Sequence, residues 1–334
     1  MRTTIVSAVA ALVGCSAAPG PAAERPAAPA PAARAGGWVE GTFDGGAGSR
    51  RYRLYVPAAY DTRRRHPLVV LLHGCTQDPA DLARGTRVAE HAEREGFLAL
   101  LPEQPESANP KKCWNWYDPA HQGRGAGEPA LLDGMTARVA RDYAVDPARV
   151  HLAGISAGAA MASLVAVAYP ERFAALALHS GLAWRPAGDV MTALGVMAKG
   201  AGDADALGDA AFAAMGPRAR PIPTLVIHGG RDAVVHPANG REGARQWAVT
   251  DARALGVASL ASRETVGEAG GYRWTRTCHT DAAGRCLVEE LVVHELGHAW
   301  SGGSPDGTFT DARGPDATAE MVRFFRDHAA AAGR

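Results

Sequence analysis

The pentapeptide Gly154-Ile155-Ser156-Ala157-Gly158 has the form Gly-x-Ser-x-Gly. A serine hydroxyl is a weak nucleophile until a base takes its proton, so the chemistry implied is nucleophilic acyl transfer with a base close by. Apolar residues 150–153 lead into the motif and a helix-forming run follows it. That is the strand–turn–helix elbow this chemistry needs. The turn is so tight that the flanking positions must be small; it lifts the hydroxyl above a sheet, and the helix N-terminus brings donors and positive potential. A glycine-rich turn with an incidental serine is the plainer alternative, and the context argues against it.

An elbow serine is followed in the chain by its acid and then its histidine. Asp232 ends His228-Gly229-Gly230-Arg231-Asp232, just past the apolar stretch 225–228. A carboxylate at the C-terminal end of a sheet strand lies where ligands bind; a plain turn role is the alternative. His298, after Leu291-Val292-Val293 and a short turn, is the expected general base. His151, His179 and His236 also lie near strand ends and are read as structural. Two backbone N–H groups must face the developing oxyanion. Ala157 supplies one; Cys75, in His73-Gly74-Cys75 after the apolar run 68–72, supplies the other.

A second motif competes for His298. His294-Glu295-Leu296-Gly297-His298 is a literal His-Glu-x-x-His, which on a helix sets two histidines on one face for zinc with the glutamate as base. The alternative function is therefore a zinc metallopeptidase, with residues 286–300 helical and Glu320 at a plausible distance for a third ligand. Against it, residues 301–307 hold three glycines and a proline, and Ser301 and Ser304 occupy the positions of the extended zinc motif's glycine and histidine. The expectation is no metal and no cofactor, with His294 and Glu295 as strand-end and turn residues.

The elements that must position these residues follow from periodicity. Residues 51–56 alternate like a half-buried strand, and 67–72 form a continuous apolar run like a strand buried on both faces. Helix is expected over 81–95, 129–143, 156–169, 237–255 and 317–328, and strand over 97–101, 149–153, 173–179 and 224–228, with two or three strands in 260–294. Residues 107–127 form a long loop, a length that is usually functional. Residues 189–216 look helical and suit a lid or side insertion. Strands alternating with helices imply an α/β architecture, a mostly parallel sheet with helices on both faces.

The chain has 334 residues, 47% of them hydrophobic, and its 35 basic residues balance its 35 acidic ones. A zero net charge without a basic patch argues against a nucleic-acid partner or binding to an anionic membrane surface. Arg2 followed by an apolar stretch over 4–14, too short to span a bilayer, has the layout of a secretory signal. It ends in Leu12-Val13-Gly14-Cys15, which resembles a bacterial lipobox with Cys15 as the lipidated residue; a signal cut near Ala17 or Ala18 is the alternative. Residues 16–36, rich in Ala and Pro, read as a solvated tether, and 37–334 as one catalytic domain. The expectation is an exported monomer, held to a membrane only through Cys15. Export permits disulfides. Four cysteines besides Cys15 allow three connectivities. Cys75–Cys113 and Cys278–Cys286 are expected, the second closing a short hairpin; buried free thiols are the alternative.

Several segments together resemble one family: His73-Gly74-Cys75-Thr76-Gln77, Cys113-Trp114-Asn115-Trp116-Tyr117, Gly127-Glu128-Pro129, the Ser156 pentapeptide and His298-Ala299-Trp300. They resemble the polyhydroxybutyrate depolymerase-like esterases, relatives of feruloyl and acetylxylan esterases, from about residue 38 to 328. The resemblance implies an α/β-hydrolase fold, a Ser156/Asp232/His298 triad and hydrolysis of carboxylic esters through an acyl-enzyme. Depolymerases of solid polyester usually carry a further polymer-binding domain, for which no residues remain after the last helix; soluble hydroxyalkanoate oligomers, short-chain esters and feruloyl-type esters are the expected substrates. Trp300, Trp114 and Trp116 are candidates to line the substrate site, with Trp184 beside them, and each could equally be core.

Overall fold

A computed structural model describes residues 36–329. The signal-like segment, Cys15 and the tether up to residue 35 lie outside the described residues. Among the described residues, no helix is long and apolar enough to cross a membrane.

The strands of the main sheet are β1 (Gly37–Gly45), β2 (Gly48–Val56), β3 (His66–Leu72), β4 (Leu98–Pro102), β5 (Val145–Ile155), β6 (Ala175–His179), β7 (Thr224–Gly229), β8 (Ala261–Ala269), β9 (Tyr272–Thr280) and β10 (Cys286–Val293); Trp300–Ser301 and Thr310–Asp311 pair separately. The main sheet has the order β1-β2-β4-β3-β5-β6-β7-β10-β9-β8. From β4 across to β10 every pairing is parallel. The β1–β2 and β8–β9 hairpins add antiparallel edges.

The apolar runs become central strands because both faces are covered. In β3, Leu68, Val70 and Leu72 enter one core and Val69 and Leu71 the other. The first core is roofed by α3 (Gly127–Asp142), α4 (Ala157–Ala168), α6 (Ala204–Met215) and α7 (Ala238–Ala254), with α5 (Val190–Lys199) beside them. The second is closed by α1 (Pro79–Thr86), α2 (Val88–Glu95) and α8 (Ala317–Asp327). Every residue of α4 is buried, as its all-round apolar, Ala-rich composition requires. α8 is amphipathic, and it buries Met321, Phe324 and Phe325 at helical spacing. Each such side chain contributes about 1.5–3 kcal/mol when fully buried.

Two expectations change. The single helix over 81–95 is two, α1 and α2, because Arg87 adopts a left-handed φ of 53° between them. Its guanidinium donates to the Gly302 carbonyl and to Asp316, a tertiary hold that local propensity does not reveal. The helical alternative for 286–300 does not form: Cys286–Val293 is β10, parallel to β7 and antiparallel to β9.

Candidate active site

Ser156 stands between the C-terminal end of β5 and the start of α4, with φ 57° and ψ −123°. A non-glycine residue in this region is strained by about 1–3 kcal/mol and needs its surroundings to hold it. The Ser156 N–H donates to the His179 carbonyl at 2.9 Å. The two flanking glycines are required by close approach. A Cβ on Gly154 would lie 2.4 Å from the Gly158 carbonyl carbon, and one on Gly158 2.3 Å from the Leu72 oxygen.

Asp232 follows β7 and is buried. Its Oδ1 accepts from the Val234 and Val235 N–H groups at 2.9 and 2.8 Å, and its Oδ2 from His298 Nδ1 at 2.7 Å. Burial opposes ionisation here, but the bond and charge of His298 and the Val235 N–H outweigh it and hold the carboxyl below its ordinary range. His228 Nε2 sits 3.5 Å from the same Oδ2 and donates to the Val235 carbonyl at 2.9 Å. Burial pushes the His228 pKa down, so this imidazole stays neutral beside the carboxylate.

His298 lies on the turn after β10. Two bonds join that turn to the Asp232 loop: Gly230 N–H to the Val293 carbonyl, and Arg231 N–H to the Leu296 carbonyl. Beyond it, Ser301 N–H donates to Nε2 of His179, a buried imidazole stacked on Trp300. Burial drives the His179 pKa down to about 3, keeping that nitrogen an acceptor. His179 is thus structural, as expected, and it braces both Ser156 and the turn carrying His298. His151 is buried against Phe325.

Ser156 and His298 line one cavity of about 200 Å³, together with Gly74, Cys75, Thr76, Gln77, Ile155, Met197, Val234 and Phe309. Among the described residues, Ser156 Oγ takes no protein hydrogen bond. The N–H groups of Cys75 and Ala157 donate to no protein acceptor among the described residues. Neighbouring donors are used: Gly74 N–H bonds Gln77 Oε1 at 3.0 Å and Thr76 N–H the Lys111 carbonyl at 2.7 Å. The Cys75–Cys113 disulfide ties this loop to the long loop of residues 107–127, and Cys278–Cys286 closes the β9–β10 hairpin. Both expected pairings are present.

The candidate tryptophans lie outside the lining of this cavity. Trp114, Trp116 and Trp300 are 1%, 4% and 3% exposed, and none is among the cavity's lining residues. Trp114 donates its indole N–H to the His73 carbonyl, and Trp300 donates to Thr318 Oγ1. They support the walls rather than form them; Trp184 is buried as well. The lining residues missed by sequence reasoning are Met197 of α5, Val234 and Phe309. Val234 lies two residues past Asp232, and Met197 falls in the 189–216 segment read as a lid or side insertion.

The His-Glu-x-x-His residues diverge. His294 Nε2 pairs with Thr275 Oγ1, Glu295 binds Arg273, and His298 faces Asp232. Glu320 is held by Arg276 and Arg323. No group of three or more metal-ligating side chains gathers among the described residues.

Residues 50–266, more than half of the chain, match the family described as esterase PHB depolymerase. The chain belongs to that family. Among its relatives, poly(3-hydroxyalkanoate) depolymerase C of Paucimonas lemoignei is 33% identical over 235 residues, 70% of this chain and 54% of that protein. Feruloyl esterase B of Neurospora crassa is 35% identical over 134 residues, 40% of this chain and 44% of that protein. Acetylxylan esterase A of Talaromyces purpureogenus is 28% identical over 224 residues, 63% of this chain and 56% of that protein. The chain thus spans about half the length of these relatives. Acetyl xylan esterase from Aspergillus awamori superposes with a TM-score of 0.69 at 20% identity, covering 87% of this chain and all of that one. The fold is that of the α/β-hydrolases.

Proposed function

We propose that this chain is an exported serine esterase that hydrolyses carboxylic esters through an acyl-enzyme on Ser156. The observation that carries the reading is convergence on one cavity. An elbow serine and a carboxylate-bound histidine line it, and two N–H groups beside them lack protein acceptors.

In this mechanism His298 Nε2 takes the Ser156 proton as Oγ attacks the ester carbonyl. Asp232 holds Nδ1–H, which fixes the tautomer that leaves Nε2 free and stabilises the imidazolium that forms. The N–H groups of Cys75 and Ala157 receive the oxyanion. His298 returns the proton to the leaving alcohol, and water repeats the sequence to release the acid.

The cavity favours a short acyl group. Its 200 Å³ falls below the usual range for drug-sized ligands, and Ile155, Met197, Val234 and Phe309 give it apolar walls. Val234 and Phe309 are also exposed, as are Val190, Met191 and Leu194 on α5. On that helix Val190, Leu194 and Met197 share one face, so an apolar stripe runs into the cavity. This supports hydroxyalkanoate oligomers or short aliphatic esters over sugar acetates. The signal-like N-terminus and two disulfides support export.

The test is hydrolysis of p-nitrophenyl butyrate with and without chelator, beside fluorophosphonate labelling. Ser156→Ala is expected to abolish both turnover and labelling, with the chelator harmless. Turnover surviving in Ser156→Ala overturns the reading. A panel of hydroxybutyrate oligomers, methyl ferulate and acetylated xylan ranks the substrates.

A further inference from the structure

Glu128, in the first turn of α3, is 1% exposed. Its Oε1 accepts from Asn115 Nδ2 at 2.7 Å and Gln104 Nε2 at 2.5 Å, and its Oε2 accepts from the Asn115 N–H at 2.8 Å. Three donors on one buried carboxylate are more than a helix N-terminus needs. All three come from the segment that runs alongside the Cys75 loop.

That segment grips the loop on both sides of Cys75. Gln104 N–H donates to His73 Nε2 at 3.0 Å, and His73 Nδ1 then donates to the Gly74 carbonyl at 2.8 Å. Burial pushes the His73 pKa down, which keeps Nε2 an acceptor. Gln104 Nε2 also holds the Cys113 carbonyl at 3.0 Å, and Cys113 is bonded to Cys75. Trp114 donates to the His73 carbonyl at 3.1 Å. On the far side Thr76 N–H is held by Lys111. Remove the carboxylate, and three donors, one from buried Gln104 and two from half-buried Asn115, lose this acceptor at the node of the scaffold, a loss costliest at the buried Gln104.

We propose that Glu128 is a positioning residue for the reaction: through Gln104 and Asn115 it fixes the loop that aims the Cys75 N–H at the oxyanion. The inference rests on the Ser156 reading. Removing an oxyanion donor outright costs about 10²–10³ in kcat. A donor that is merely displaced costs less, about 10–100-fold.

The test uses the whole protein and two variants. In Glu128→Gln only one acceptor oxygen remains, so at least one donor faces an NH₂ group. Gln104→Met cuts the side-chain links to Cys113, Glu128 and Arg50 and keeps the Glu128 carboxylate with its Asn115 donors. Both variants are expected to lose about 10–100-fold in kcat on p-nitrophenyl butyrate with KM within about twofold. Inhibition by a trifluoromethyl ketone, which forms a tetrahedral oxyanion on the serine, should weaken in proportion to kcat/KM. Wild-type kcat in a folded Glu128→Gln overturns the assignment, as does equal loss toward the ketone and toward the product acid, a ground-state ligand. If Glu128→Gln fails to fold, Gln104→Met decides alone on the same two readouts. Fluorophosphonate labelling of the wild type separates the layers. An unlabelled wild type sinks the serine reading, whereas equal labelling rates in wild type and variants sink only the role of Glu128.

Discussion

Asp232→Asn isolates what the carboxylate does, because the geometry dictates how the amide must sit. Oδ1 accepts two N–H groups, from Val234 and Val235, and Oδ2 accepts one, from His298. An amide therefore keeps its oxygen on the two valine donors and turns its NH₂ toward His298. His298 must then present a lone pair at Nδ1 and carry its proton on Nε2, where Ser156 needs a base. The isosteric loss of this acid in a Ser-His-Asp site costs about 10⁴ in kcat, or about 5 kcal/mol of transition-state stabilisation. The expected outcome with p-nitrophenyl butyrate at pH 7 is that fall in kcat with KM nearly unchanged, since Asp232 is not among the cavity's lining residues. Fluorophosphonate labelling should slow in parallel. A variant within tenfold of wild-type kcat would refute the reasoning. The same change has a pH signature in stability. Because the folded pKa of Asp232 lies below its ordinary value, its ionised form stabilises the fold above the unfolded pKa, about 3.9. That contribution is lost as pH falls through the folded pKa, so the Tm gap between wild type and variant should narrow from pH 6 toward pH 3.

Glu295→Gln removes only a surface pair with Arg273 and should leave kcat and chelator resistance at wild-type levels, whereas a zinc enzyme using this glutamate would lose activity. Asp251 is buried with no partner for Oδ2, and burial raises its pKa well above the ordinary value, against the pull of the Ile222 N–H and Arg220. Its folded form therefore holds the proton that the unfolded chain releases, and stability falls as pH rises above the unfolded pKa of about 3.9. Asp251→Asn should raise Tm at pH 8 by more than at pH 4; an equal or smaller gain at pH 8 refutes the assignment.

The parts of the site legible in the sequence are those whose geometry is local. The elbow demands small residues at fixed spacing around Ser156, and Gly154 and Gly158 approach backbone too closely for any Cβ. Asp232 and the turn before His298 could be read because apolar strands announce where their C-terminal ends fall. What stayed hidden is decided by distant partners. Arg87 breaks a helix through bonds to Gly302 and Asp316. Trp300 is drawn inward by Thr318 and His179 and does not line the cavity. Glu128 gathers donors from Gln104 and Asn115 that no periodicity links to it. Met197, Val234 and Phe309 meet in the cavity from separate segments that no periodicity brings together.

Topology also bears on the two chemistries that His298 could serve. On a helix, residues 294 and 298 would share a face, as a zinc pair must. Here the motif begins where β10 ends, and β10 lies between β7 and β9. Each neighbour claims a different residue. On the β9 side, Thr275 takes His294, Arg273 takes the Glu295 carboxylate, and the Arg273 carbonyl accepts the His294 N–H at 2.9 Å. On the β7 side, the loop that carries Asp232 bonds the backbone at Val293 and Leu296 and so delivers its carboxylate to His298. To bring His294 and His298 onto one ion, the turn after β10 would have to give up the contact with Thr275 or that with Asp232. The parallel sheet that places the elbow of Ser156 therefore also places His298 beside Asp232 and on the same cavity as Ser156.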